Sequence, residues 1–130
     1  MIEFHLDTCS GIAPYQQVVQ QARHALRLGL LQVDEQLPTV KEVVTATAIN
    51  PNTVLKAYKE LEHQGLAAVR PGIGTFVIKS LSDDSLVAHG PLRQSLQRWL
   101  ERARRAGLDE ESTEALFRDV VRSSSAEGVA

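Results

Sequence analysis

The chain has 130 residues, 43% of them hydrophobic and 23% charged, with 14 Lys and Arg against 16 Asp and Glu for a formal net charge of −2. That length suits one small domain or one with a short extension, and the charge balance excludes the global basic field that announces many nucleic-acid binders, so any basic surface must be local. The longest apolar runs are a few residues where a membrane-spanning helix needs about 20, MIEFHLD is no secretory signal, and the single Cys9 excludes an internal disulfide or a cysteine-rich zinc module.

A cytoplasmic protein is therefore expected. Residues 1–79 carry equal numbers of each sign, Arg23, Arg27, Lys41, Lys56, Lys59, Arg70 and Lys79 against Glu3, Asp7, Asp34, Glu35, Glu42, Glu60 and Glu62. The excess acid lies in residues 80–130. His5, Asp7 and Cys9 alternate, as residues on one face of a strand would, and ordinary packing outweighs a metal site there.

Residues 14–29 place Tyr15, Val18, Val19, Ala22, Ala25 and Leu26 at helical spacing and end on Gly29, which predicts a first helix with one apolar face. A connection through Pro38 follows. Thr39 then caps a short second helix built on Val40, Val43, Val44 and Ala48.

The third helix opens on Asn50, Pro51 and Asn52. Asn is a strong N-cap, because its side-chain oxygen accepts from the unpaired N–H groups of the first turn, and Pro suits the next position, where a missing N–H has no partner to lose. Asn52 then has no capping work of its own. Val54, Ala57, Tyr58 and Leu61 follow the i, i+3, i+4, i+7 pattern of a face packed on a core, while Asn52, Lys56 and Lys59 fall on the opposite side, flanked by Thr53 and Leu55. Gly65 suits the helix end.

Residues 66–70 and 75–79 read as two short strands joined by Pro71, Gly72, Ile73 and Gly74, a hairpin turn. With no helix after it, the glycine-rich turn is not a phosphate loop. Three helices, a short turn between the second and third, and a closing hairpin make a winged helix-turn-helix, mostly α with a small β-hairpin. The polar stripe of the third helix then faces the major groove of double-stranded DNA.

After Lys79 the composition turns polar through residue 90. Residues 91–107 predict a helix with Leu92, Leu96, Trp99, Leu100 and Ala103 on one stripe. Asp109 caps another carrying Leu116, Phe117, Val120 and Val121, and residues 123–130 have the composition of a disordered tail. Two short helices cannot bury both apolar stripes between themselves, so a partner surface is expected, most simply a second copy. The domains expected are a winged helix-turn-helix over 1–79 and a linker, two-helix dimerisation region and tail over 80–130.

Pro14-Tyr15-Gln16-Gln17-Val18, Leu37-Pro38-Thr39-Val40-Lys41-Glu42, Asn52-Thr53-Val54, Ala57-Tyr58 with Leu61, Gly65-Leu66 and Gly72-Ile73-Gly74-Thr75-Phe76-Val77 together resemble, in order and spacing, the N-terminal domain of the GntR family of bacterial transcriptional regulators. The Asn-Pro-Asn-Thr-Val start with only two helices after the wing is similar to the YtrA subfamily. That resemblance implies a homodimeric repressor, with the tail helices (Leu92, Leu96, Trp99, Leu100, Ala103, Leu116, Phe117 and Val120) as the dimer interface. It places Lys41 of the second helix, Asn52, Thr53 and Lys56 of the third, and Gly72 with Ile73 of the wing at DNA; Thr39, Leu55, Lys59 and Arg70 complete the DNA-binding residues expected from the polar stripe and the hairpin. Three departures stand out. Pro51 replaces an Arg common in other subfamilies, Leu55 sits where a basic residue is frequent, and Val33-Asp34 replaces the usual Pro-Gly before Leu37-Pro38.

An Asn side chain can pair bidentately with adenine, Thr53 can reach a base edge or phosphate, and Leu55 can meet a thymine methyl. Lys41, Lys56 and Lys59 would mainly meet phosphates, which also suit the first turns of helices two and three, read as free of acid. A two-fold dimer calls for an inverted-repeat operator. The rival from another class is a winged-helix protein-interaction module without DNA binding, favoured by the net acidity. No nucleophile, base and oxyanion grouping assembles, so neither an enzyme nor a cofactor is expected. The length after the wing is compatible with a small-molecule effector at the dimer interface, a protein regulator, or neither.

Overall fold

The computed structural model describes residues 2–82 and 90–129, with side chains through residue 124. Chain order is α1 (Pro14–Arg27), α2 (Val40–Thr47), α3 (Pro51–His63), β1 (Ala67–Arg70), β2 (Gly74–Val77), α4 (Gly90–Arg105) and α5 (Glu110–Val129). The chain divides into two compact units, Met1–Ala88 and His89–Ala130. The polar joint expected after Lys79 falls largely outside the described residues.

In the first unit α3 is the central element, because its apolar side has helices and wing to pack against. Val54, Ala57, Tyr58 and Leu61 are buried with Val18, Ala22 and Leu26 of α1, Val43 of α2, and Leu66 and Val77 of the wing. Leu61 is 1% exposed and Val54 fully buried. The residues N-terminal to α1 form no strand. Instead Phe4 is buried, and the Gln17 amide accepts from the Asp7 N–H at 2.8 Å while donating to the Asp7 and Ile12 carbonyls, each at 2.9 Å. A buried amide so fully bonded fastens the N-terminal segment without a sheet.

Thr39 caps α2 reciprocally: its hydroxyl accepts from the Glu42 N–H and donates to the Glu42 carboxylate, both at 3.1 Å. Ala48, expected on the apolar face of α2, is instead its exposed left-handed cap with φ 58°. The helix must reverse there within a few residues to let α3 begin. Asn50 then accepts from the Asn52 N–H at 2.8 Å with Pro51 behind it. At the far end Gly65, with φ 74°, takes the conformation that lets Leu66 N–H reach the Leu61 carbonyl at 3.0 Å, closing α3 and turning the chain into β1.

β1 and β2 pair antiparallel with Ala68 opposite Phe76 and Arg70 opposite Gly74. Gly72, φ 77°, follows Pro71 in the turn, and the Ile73 N–H closes it on the Arg70 carbonyl at 3.0 Å. The wing is wider than the sequence implied. Residues 34–37 run along the free edge of β2: Asp34 N–H to Val77 carbonyl at 2.8 Å, Val77 N–H to Glu35 carbonyl at 2.9 Å, Leu37 N–H to Thr75 carbonyl at 2.9 Å, and a bridge from Gln36 to Phe76. This bridging segment has no hydrophobic alternation of its own, since Asp34, Glu35 and Gln36 are polar.

In the second unit Asp109 caps α5 by accepting from the Ser112 N–H at 2.7 Å, and hydrogen bonding from the Ser112 hydroxyl first and from this N–H second lowers its carboxyl pKa. Trp99 of α4 and Phe117 of α5 meet with ring centroids 6.4 Å apart, tilted by 52°. The α5 backbone continues as helix through Val129, across residues whose composition predicted a disordered tail; once a helix is nucleated, each added residue gains one hydrogen bond. Ala103, expected at a dimer interface, is only 6% exposed in the single chain and has almost no surface to offer a partner.

Candidate functional site

The side of α3 turned away from the core carries Asn52, Leu55, Lys56 and Lys59, all exposed, with Leu55 at 45%. Together with Glu60 and His63 they line a shallow groove of about 570 Å³. Thr53 is half-buried at the edge of this face. The first turn of α3 holds no acid, so its unpaired amides and positive dipole end meet no competing carboxylate.

A second depression, about 230 Å³, is bounded by Gln36, Thr39 and Val40 at the start of α2, Leu55 and Lys59 of α3, and Val69, Gly74 and Thr75 of the wing. Three segments distant in sequence therefore converge on one surface. Tyr58 fastens two of them, α3 and the approach to α2, from beneath, its hydroxyl donating to the Pro38 carbonyl at 2.6 Å. Burial pushes the Tyr58 phenol well above its ordinary range, and the nearby Glu42 charge adds to the effect.

The individual side chains differ in how free they are. Lys41 is exposed in the first turn of α2. That turn, read from sequence as free of acid, contains Glu42, and the Thr39 hydroxyl is engaged by it. Lys56 lies with its ammonium 4.0 Å from the centroid of the Tyr15 ring on α1, so its charge is aimed while staying at the surface. Ile73 is 64% exposed beside Gly72 at the wing tip.

Arg70, expected to be free for DNA, is held: its guanidinium is 3.2 Å from the Asp34 carboxylate and 4.1 Å from the centroid of Phe76. Periodicity missed Tyr15, Gln36 and Asp34 as parts of this surface, because each acts across the tertiary fold. The one local signal was Val33-Asp34, where the resemblance calls for Pro-Gly. Asp34 does adopt a glycine-like φ of 72°.

Among the described residues no group of three His, Cys, Asp or Glu is placed to hold a metal ion, and no helix is long and apolar enough to cross a membrane.

Residues 14–77 match the profile of the bacterial regulatory proteins of the gntR family. The HTH-type transcriptional repressor YtrA of Bacillus subtilis is 39% identical over 72 residues, which cover 55% of this chain and 55% of that protein. The match thus spans about half the length of that relative. Two solved structures share the fold over most of the chain. A transcriptional antiterminator from Listeria monocytogenes has TM-score 0.58 at 29% identity over 92% of this chain and 90% of its own. YtrA from Sulfolobus acidocaldarius, a GntR-family transcription factor, has TM-score 0.55 at 26% identity over 75% and 97%.

Proposed function

The chain belongs to the gntR family of bacterial regulatory proteins, and we propose on that footing that it is a cytoplasmic, sequence-specific DNA-binding repressor that grips an inverted-repeat operator as a homodimer. The observation that carries this reading is the exposed Asn52, Leu55, Lys56 and Lys59 face of α3, of which Leu55 and Lys59 line one depression together with the start of α2 and the wing.

In this reading α3 enters the major groove. Asn52 reads an adenine edge, Thr53 and Leu55 adjoin it, and Lys41, Lys56 and Lys59 hold phosphates and fix the register. Tyr15 steadies Lys56 from α1. Gly72 and Ile73 bring the wing tip to the adjacent backbone or minor groove. Thr39 contributes by capping α2, its hydroxyl being occupied within the protein.

Leu92, Leu96, Leu116, Phe117 and Val120 are each at least 41% exposed in the single chain, and with Trp99 and Leu100 they form the homodimer contact of this proposal. The same helices border a cleft of about 460 Å³ lined by Trp99, Leu100, Arg104 and Phe117, to which we assign any small-molecule effector. A two-fold pair sets its half-sites about one helical turn, or a multiple of it, apart.

The test is footprinting of the purified protein on the DNA upstream of its own gene and neighbouring operons, with a protected inverted repeat expected. Absence of any protected repeat at low salt would sink the proposal. The rival reading, a protein-docking winged helix, predicts that Lys41→Ala and Asn52→Ala leave the molecule's binding behaviour unchanged; the repressor reading predicts lost DNA binding with dimerisation intact.

A further inference from the structure

We propose that Asp34 is an internal competitor with DNA for Arg70, and so sets how much charge the wing contributes to binding. The inference rests on the DNA-binding reading above.

The geometry spans β1, β2 and the segment that bridges to the free edge of β2. Residues 35–37 run along the edge of β2 through the Gln36–Phe76 bridge, and Asp34 sits in the turn that leads into them, its N–H on the Val77 carbonyl. Arg70 shares the face of Phe76, because Ala68 is opposite Phe76 and Arg70 opposite Gly74. The Arg70 side chain therefore crosses the sheet: its guanidinium lies 4.1 Å from the Phe76 centroid and ends 3.2 Å from the Asp34 Oδ1. β1 supplies Arg70, β2 supplies Phe76, and the turn before the bridging segment supplies Asp34.

The pair contributes little to stability, since the two side chains are 48% and 76% exposed and exposed ion pairs are weak. Its consequence for charge is larger. Across AAVRPGIGTFV, residues 67–77, Arg70 is the only charged residue. With Asp34 beside it the wing presents no net positive charge to a phosphate. Asp34 is held there by its backbone, whose N–H is bonded to the Val77 carbonyl at 2.8 Å, in a left-handed φ of 72° that an L residue rarely takes. Asn tolerates that conformation and Gly accepts it freely, so both neutral replacements preserve the loop.

The probe is a duplex enriched by the wild-type protein from a random pool, with affinity measured between about 50 and 200 mM salt. Asp34→Asn should raise affinity at the low-salt end by up to about fivefold, the ceiling for an exposed ion pair, and steepen the log affinity against log salt slope by up to about 0.9, one phosphate contact. Asp34→Gly should do the same, and in an Arg70→Ala background both gains should vanish.

An equal gain in the Arg70→Ala background would make Asp34 a plain repeller of phosphate and overturn the proposal. Unchanged affinity and slope in Asp34→Asn and Asp34→Gly, with wild-type binding intact, would overturn it and leave the DNA reading standing. Failure of the wild-type protein to enrich any duplex would overturn both.

Discussion

Tyr58→Phe isolates the bond that sets α2 against α3. Tyr58 is 5% exposed, and its hydroxyl donates at 2.6 Å to the carbonyl of Pro38, the residue before the α2 cap. Phe keeps the ring packed and removes one oxygen. The carbonyl is then left unpaired in the core, so the expected loss is the desolvation penalty of a buried acceptor, about 1–3 kcal/mol, and not merely the smaller net value of a hydrogen bond. For a domain of this size that lowers Tm by about 4–24 °C at neutral pH, read by circular dichroism and by faster exchange of α3 amides.

The pH dependence gives a second readout. Burial raises the folded-state pKa of the Tyr58 phenol above its ordinary value of 10.0, so folding favours the neutral form. Stability from that preference is fully present below about pH 10 and is lost as pH climbs beyond it toward the folded-state pKa. The gap between wild type and Tyr58→Phe should therefore narrow above about pH 10. A Tm at neutral pH within about 2 °C of wild type would refute the role given to this bond, since even the lower bound of the estimate moves it further.

Leu61→Ala, at a position 1% exposed among α1 and the wing, should destabilise the first unit by about 2–5 kcal/mol in urea unfolding. Ala48→Gly should stabilise it by about 0.5–1 kcal/mol, because the exposed Ala48 holds φ 58° and its methyl packs on nothing that is lost; a lower Tm would contradict this. Asn52→Ala should leave Tm within about 3 °C of wild type while reducing discrimination at one operator base by about 1–3 kcal/mol, measured by competition with singly substituted duplexes. Lys41→Ala should weaken binding to all duplexes alike and reduce the salt slope by about 0.9.

Local chemistry determined much of this protein. Asn50 and Pro51 start α3 because the first turn of any helix needs an acceptor side chain and tolerates a residue without an N–H, and both facts are written in the chain. The buried face of α3, the Gly65 stop and the Pro71-Gly72 turn are legible for the same reason: each is a matter of spacing or of one residue's backbone preference. The fold class follows from their order.

What the tertiary structure decided is which charges are at liberty. Arg70 and Asp34 are 36 residues apart in sequence, and only the backbone bonds that hold residues 34–37 along the edge of β2 bring them within 3.2 Å. That edge segment was invisible to alternation because Asp34, Glu35 and Gln36 are polar and its bonds are made by the backbone. Lys56 was legible as an exposed cation but not as one aimed by Tyr15, and Ala103 was legible as apolar but not as already buried. Periodicity tells which way a side chain leaves its own helix. What it then meets depends on distances between elements, and those are fixed only when the whole core closes.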